Sequence, residues 1–195
     1  MKKVILLLAL TFAPFTLFAQ GKVYLGGGLS LNQAPNSFKD QYKNGFNFEA
    51  AYGYPITENV EILAKGQLHS FNPDAAGFDT AVLSAKVEGG VFSDVNVGAG
   101  LKLNFGAGNI KPYVFATGGF HSLETTEMKL TLSSLTTIPK KTENTFGVNA
   151  GVGIEVGFGG AAALFVEPSY TMLFNDAKTK FIPIKVGLAY SLMKR

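Results

Sequence analysis

Two histidines are each followed by a serine, His69-Ser70 and His121-Ser122, and Glu124 lies two residues beyond the second pair. Ser, His and a carboxylate are the components of a hydrolytic triad, in which the imidazole takes the proton of the attacking hydroxyl. In an extended strand, however, consecutive side chains leave on opposite sides, so each serine points away from its own histidine. A pair of histidines without a third ligand at a fixed spacing also falls short of a metal site. Both histidines therefore read as hydrogen-bonded groups near the outer ends of strands, and no catalytic residue, cofactor or metal site is assigned. The 23 glycines contain neither Gly-x-Gly-x-x-Gly nor a phosphate-loop pattern.

A second set of residues with chemical potential is ionic. Glu49, Glu61, Lys65, Lys102, Glu155, Glu167 and Lys185 each interrupt an alternating apolar row on its non-apolar side, and Lys111 joins them near one end. Four carboxylates thus oppose four ammonium groups. If that side faces a narrow interior, each charge is costly unless paired, and the set is expected to form a salt-bridged plug. The alternative is the lining of a narrow ion path.

The elements that position these residues follow from the alternation itself. From Thr145 onward, Phe146, Val148, Ala150, Val152, Ile154, Val156 and Phe158 share one face and Gly147, Asn149, Gly151, Gly153, Glu155 and Gly157 the other. At about 3.3 Å per residue and a tilt of about 40°, such a strand rises about 30 Å, the height of a bilayer's apolar band with its aromatic edges. Eight segments repeat the pattern: 21–32, 44–54, 59–70, 93–105, 110–122, 144–158, 162–174 and 181–192. Their connections alternate long (33–43, 71–92, 123–143, 175–180) and short (55–58, 106–109, 159–161), the habit of a membrane barrel with turns on one side. Residues 80–91 have strand character, but a ninth spanning strand would put the long polar segment 123–143 on the turn side. They are assigned to the second outer loop, as an extension of the third and fourth strands. Strand directions then sort the outward aromatics into two belts: Phe46, Phe120, Phe146 and Phe174 at the outer edge, and Tyr54, Phe105, Phe158 and Tyr190 at the periplasmic edge. The turn at 55–58 predicts Glu49 opposite Lys65.

Residues 1–19 have the layout of a secretory signal peptide, with Lys2 and Lys3, an apolar run and Ala19 at the expected cleavage point. The remainder, 20–195, reads as one all-β domain. Cysteine is absent, so disulfides and a lipid-modified cysteine are excluded. Of the 17 basic residues only Arg195 is arginine, and the lysines are scattered, which argues against nucleic-acid binding. Charged residues make up only 16% of the chain, below the roughly 25% of soluble domains.

On these features the chain resembles the small outer-membrane β-barrel family of Gram-negative bacteria, the eight-stranded "porin family" group typified by the OmpA and OmpX transmembrane domains. Lys111-Pro112-Tyr113-Val114 leading to Gly118-Gly119-Phe120 is similar to that family's fifth strand, and Phe165-Val166-Glu167-Pro168-Ser169-Tyr170 to Phe174 is similar to its seventh. The last strand resembles its assembly signal, with Lys185, Gly187, Tyr190 and Leu192 as polar residue, glycine and two hydrophobics, although the chain ends Leu192-Met193-Lys194-Arg195 without a terminal aromatic. The resemblance implies an eight-stranded antiparallel up-and-down transmembrane barrel, inserted by the outer-membrane barrel assembly machinery among outer-membrane lipids and lipopolysaccharide, as a monomer. It implies no single activity, because small barrels host adhesins, enzymes, pores and structural proteins. The lipid A deacylases of that membrane carry His-x-Ser, which is absent here. The expected function is structural or loop-mediated rather than enzymatic, with a narrow porin and, less favoured, a lipid-modifying hydrolase as alternatives.

Overall fold

A computed structural model describes residues 20–32, 40–78, 86–106, 108–131 and 135–192. The signal-peptide assignment at 1–19 lies outside these residues. Among the described residues there are eleven strands: β1 (Lys22–Asn32), β2 (Gly45–Pro55), β3 (Val60–Phe71), β4 (Lys86–Gly89), β5 (Phe92–Asn104), β6 (Ile110–Thr125), β7 (Met128–Thr131), β8 (Leu135–Ile138), β9 (Lys141–Gly157), β10 (Ala162–Leu173) and β11 (Lys180–Ser191). Eight of them close into one antiparallel barrel in the order β1-β11-β10-β9-β6-β5-β3-β2. Closure is made by β1 and β11, paired from Lys22↔Ser191 to Asn32↔Phe181. No barrel strand is left with a free edge, the condition for a sheet to sit in hydrocarbon, where unpaired amides find no water.

Alternation fixes which side of each strand faces in. Along β5, Asp94, Asn96, Lys102 and Asn104 are buried while Val95, Val97, Leu101 and Leu103 are exposed. A soluble protein would invert this relation. The exposed row is a lipid-facing surface, with Phe46, Phe120, Phe146 and Phe174 exposed toward one rim and Phe105, Phe158 and Tyr190 toward the other. Tyr54 at the second rim is half-buried. Phe120 and Phe146 sit on adjacent strands with ring centroids 4.0 Å apart.

Beyond the outer rim the structure departs from the sequence reading. Of the segment 80–91, residues 80–85 lie outside the described residues, and Lys86–Gly89 do not prolong the third or fourth spanning strand. Instead β4, formed by Lys86–Gly89, pairs with β7, and β7 with β8, in a separate three-stranded sheet. The strands that reach past the membrane are β6 and β9, which stay paired to Thr125↔Lys141. Polar residues such as Glu124 and Thr142 are compatible with a ladder in water, so lipid-type alternation does not mark where that hairpin ends.

The register between β2 and β3 also differs from expectation. Glu49 lies opposite Gln67, and Lys65 opposite Ala51. The turn is longer than 55–58: pairing runs to Pro55↔Glu61, and the Ile56 N–H donates to the Val60 carbonyl at 2.8 Å. That shifts every partner by two residues while keeping the faces unchanged.

Two outcomes are expected of this architecture. The folded protein extracted in detergent should migrate differently in SDS gels before and after boiling, because a sheet without edges resists unzipping; identical migration would contradict closure. Val152 is exposed on the lipid side, so Val152→Lys should lower stability in lipid by about 2–4 kcal/mol. Val152→Ile should not, as read by denaturant-induced unfolding in vesicles.

Candidate functional site in the lumen

The interior of an eight-stranded barrel is only wide enough for side chains to fill, and here it is filled in layers. Nearest the short-turn end is a ring of alternating charge. Lys22 Nζ lies 3.1 Å from Glu61 and 3.2 Å from Glu155, while Lys102 bonds Glu155 and lies 3.9 Å from Glu61. The Tyr24 hydroxyl donates to Glu61 at 2.6 Å and accepts from Lys102 at 2.9 Å. Further out, a second ring repeats the design: Lys65 lies 3.4 Å from Glu49 and 2.8 Å from Glu167, and Lys185 lies 2.5 Å from Glu49 and 2.7 Å from Glu167. Gln67 donates to Glu49 at 2.6 Å and the Tyr113 hydroxyl to Glu167 at 2.9 Å.

Each ring has two carboxylates and two ammonium groups, so each is neutral. Glu49 is 1% exposed and Lys185 0%. Charges so far from water persist only because every one has two opposite neighbours and further hydrogen bonds. An aromatic layer separates the rings, built from Tyr24, Tyr113, Phe115 and Phe165 with Leu63. Its ring faces also meet the cations: Lys65 Nζ is 3.8 Å from the Phe115 centroid and Lys102 Nζ 4.0 Å from that of Tyr113. The inward glycines make this possible. A Cβ on Gly26 or Gly187 would lie 2.7 Å from the Phe165 ring, so Phe165 can cross the lumen only because both positions are bare.

Outside the second ring lies a polar layer containing both histidines, which are buried rather than at the rim. His69 Nδ1 is 3.0 Å from the hydroxyl of Ser30 on β1, not from Ser70. His121 Nδ1 lies 2.9 Å from Asp94. Ser122 is exposed on the opposite face, and Glu124 pairs with Lys140 at 2.8 Å. Asn149 donates to Thr171 at 2.7 Å in the same layer. An apolar cap of Tyr42, Phe71, Phe92, Leu123, Leu173 and Phe181 then lies at the outer end. The segment before β2 is pinned across it, for Asn32 Nδ2 donates to the Tyr42 carbonyl at 3.1 Å and Tyr42 bridges to Pro73.

All seven ionic residues singled out in the sequence face this interior, and the two rings unite them. Lys111 does not join: the fourth cation is Lys22, and Lys111 lines a mouth cleft of about 540 Å³ at the short-turn end, with Asn109 and Glu155. Lys22 was legible from parity, since it shares a face with Gly26 and Ser30. The Ser30–His69 and Asp94–His121 contacts were not, because each joins residues on different strands. Tyr190 and Leu192, at the end of the last strand, are both exposed, and Gly187 faces the lumen beside Phe165.

Comparison with solved structures places the fold among small outer-membrane barrels. Neisserial surface protein A aligns with a TM-score of 0.56 at 12% identity, covering 88% of this chain and 96% of that one. A major outer membrane protein of Thermus thermophilus aligns with a TM-score of 0.56 at 10% identity, covering 88% and 98%. Ail, the attachment invasion locus protein of Yersinia pestis, aligns with a TM-score of 0.50 at 14% identity, covering 88% and 98%. A comparison with curated proteins finds no match. Residues 4–191 match the outer membrane protein beta-barrel domain. With that match over nearly its whole length, and an apolar exterior closed around a charged interior, the chain belongs to the outer membrane protein beta-barrel family and resides in the outer membrane.

Proposed function

We propose that this protein is a non-enzymatic outer-membrane barrel with a closed lumen, whose role is structural or exercised through its outer loops. The observation that carries this reading is the pair of neutral ion rings. Every lysine in them contacts two carboxylates, so neither ring has a charge to offer a passing ion, and the aromatic layer and apolar cap occupy the space beside them. A hydrolytic role finds little support: the serine hydrogen-bonded to His69 is Ser30, 0% exposed, where no lipid ester reaches it. The exposed aromatics at both rims fit anchoring belts. Lys185, Gly187, Tyr190 and Leu192 fit an assembly signal read by the barrel assembly machinery after removal of residues 1–19. Lipopolysaccharide and phospholipid form the surroundings, and the unit is a monomer. The sheet of β4, β7 and β8 and the segments around it offer the surface for an external partner.

The purified full-length protein in planar bilayers should show no sustained conductance steps. Steady ohmic steps from the wild type would favour a narrow pore instead. Stability in lipid should report the rings. Lys65→Met leaves a buried carboxylate in excess and should cost about 3–5 kcal/mol. Adding Glu49→Gln leaves the neutral Lys185–Glu167 pair, so the double variant should be more stable than the single one. A double variant no more stable than Lys65→Met would mean the ring is hydrated rather than a dry plug.

A further inference from the structure

The shortest outer connection, between β10 and β11, contains the one described non-glycine residue with a left-handed backbone, Lys178 at φ 47°. Glycine or asparagine adopts that conformation at less cost. The turn enforces it: Lys178 N–H donates to the Asn175 carbonyl at 2.9 Å, Thr179 N–H to Asn175 Oδ1 at 3.0 Å, and Leu173 N–H to the Thr179 carbonyl at 2.9 Å. Asn175 Nδ2 also donates to Thr179 Oγ1 at 3.2 Å. A strained non-glycine residue in an over-determined turn directs attention to its side chain, and Lys178 is exposed.

Two residues on, Lys180 opens β11 opposite Met172, in the outward row that continues through Ile182 and Ile184. It is thus a cation on the lipid-facing side, at the outer boundary. Beside it stand the exposed rings of Phe174 and Phe146, whose strands are joined there by a hydrogen bond from Phe174 N–H to the Phe146 carbonyl at 2.9 Å. Farther from the membrane, Lys140 and Lys141 are neutralised by Glu124 at 2.8 Å and Glu143 at 3.6 Å. Among the described residues neither Lys178 nor Lys180 has such a partner, and the Asp176 carboxylate of the same turn pairs with neither. Two ammonium groups without an ion-pair partner among the described residues, one on a turn with a strained backbone and one rising from an apolar row beside aromatic rings, match an anion on an amphiphile rather than a soluble one.

We propose that Lys178 and Lys180 together bind a phosphate of an outer-leaflet lipid headgroup, with Phe174 and Phe146 against the attached acyl chains. This rests on the reading that lipopolysaccharide surrounds the barrel, and deepens it by naming the contact. The full-length protein would be placed in nanodiscs of phosphatidylethanolamine doped with either bisphosphorylated lipid A or lipid A stripped of its phosphates, with inorganic phosphate as a third arm. Wild type should be raised in melting temperature and retain lipid A only with the phosphorylated form. Lys178→Gly should keep its thermal stability in lipid-free detergent, since it relieves the backbone, yet bind phosphorylated lipid A about tenfold more weakly. Lys180→Gln should weaken it similarly, and Lys86→Gln, in the outer sheet, should not. Equal binding by the Lys178→Gly and wild-type proteins would overturn the site while leaving lipopolysaccharide as the surroundings. Indifference of the wild type to the lipid phosphates would overturn both, and an equal response to inorganic phosphate would overturn the lipid as its source.

Discussion

Closure of the sheet by the β1–β11 ladder is the constraint from which the other features follow. In hydrocarbon an unpaired amide costs several kcal/mol, so a barrel must satisfy its first strand with its last. Gly26 and Gly28 of β1 pair with Gly187 and Lys185 of β11, and the close approach of those backbones is tolerated because three of the four lack side chains. Once the ladder is closed around only eight strands, the lumen has a fixed and small volume. Everything the inward rows carry must then fit, or be matched, within that volume.

The interior meets this limit by alternating long charged side chains with bare positions and by neutralising charge locally. Each ring draws its four members from strands on different sides of the barrel: the outer one from β2, β3, β10 and β11, the inner one from β1, β3, β5 and β9. Each ring therefore cross-braces the wall as well as cancelling charge. Tyr113 links the levels, its hydroxyl donating to Glu167 of one ring while its ring face meets Lys102 of the other. The penalty for separating such pairs is that of isolating a buried charge.

The outer end follows a different logic. There the strands enter water, and among the described residues β6 and β9 stay paired farthest out, to Thr125↔Lys141. The cap of Phe71, Phe92 and Phe181 shields the histidine layer from the side on which ligands would approach. His69 packs against Phe181 with ring centroids 4.7 Å apart and planes tilted by 58°, and both histidines are buried.

Much of this was determined by the sequence alone. Period-two alternation assigns the eight spanning strands, and parity assigns every one of the ring residues, Lys22 included, to the inner face. Those are local properties: a side chain's face depends only on its position along an extended strand. Pairing across the wall depends on register and closure, which local pattern leaves open. The β2–β3 turn is longer than its sequence suggests, so Glu49 faces Gln67, yet the Lys65 side chain is long enough to reach Glu49 diagonally at 3.4 Å. Asp94 reaches His121 from the neighbouring strand β5 and Ser30 reaches His69 from beyond β2, so both partners were decided by the order of strands round the barrel. The outer sheet of β4, β7 and β8 was likewise beyond local reading, because in water no single period marks a strand that pairs far along the chain.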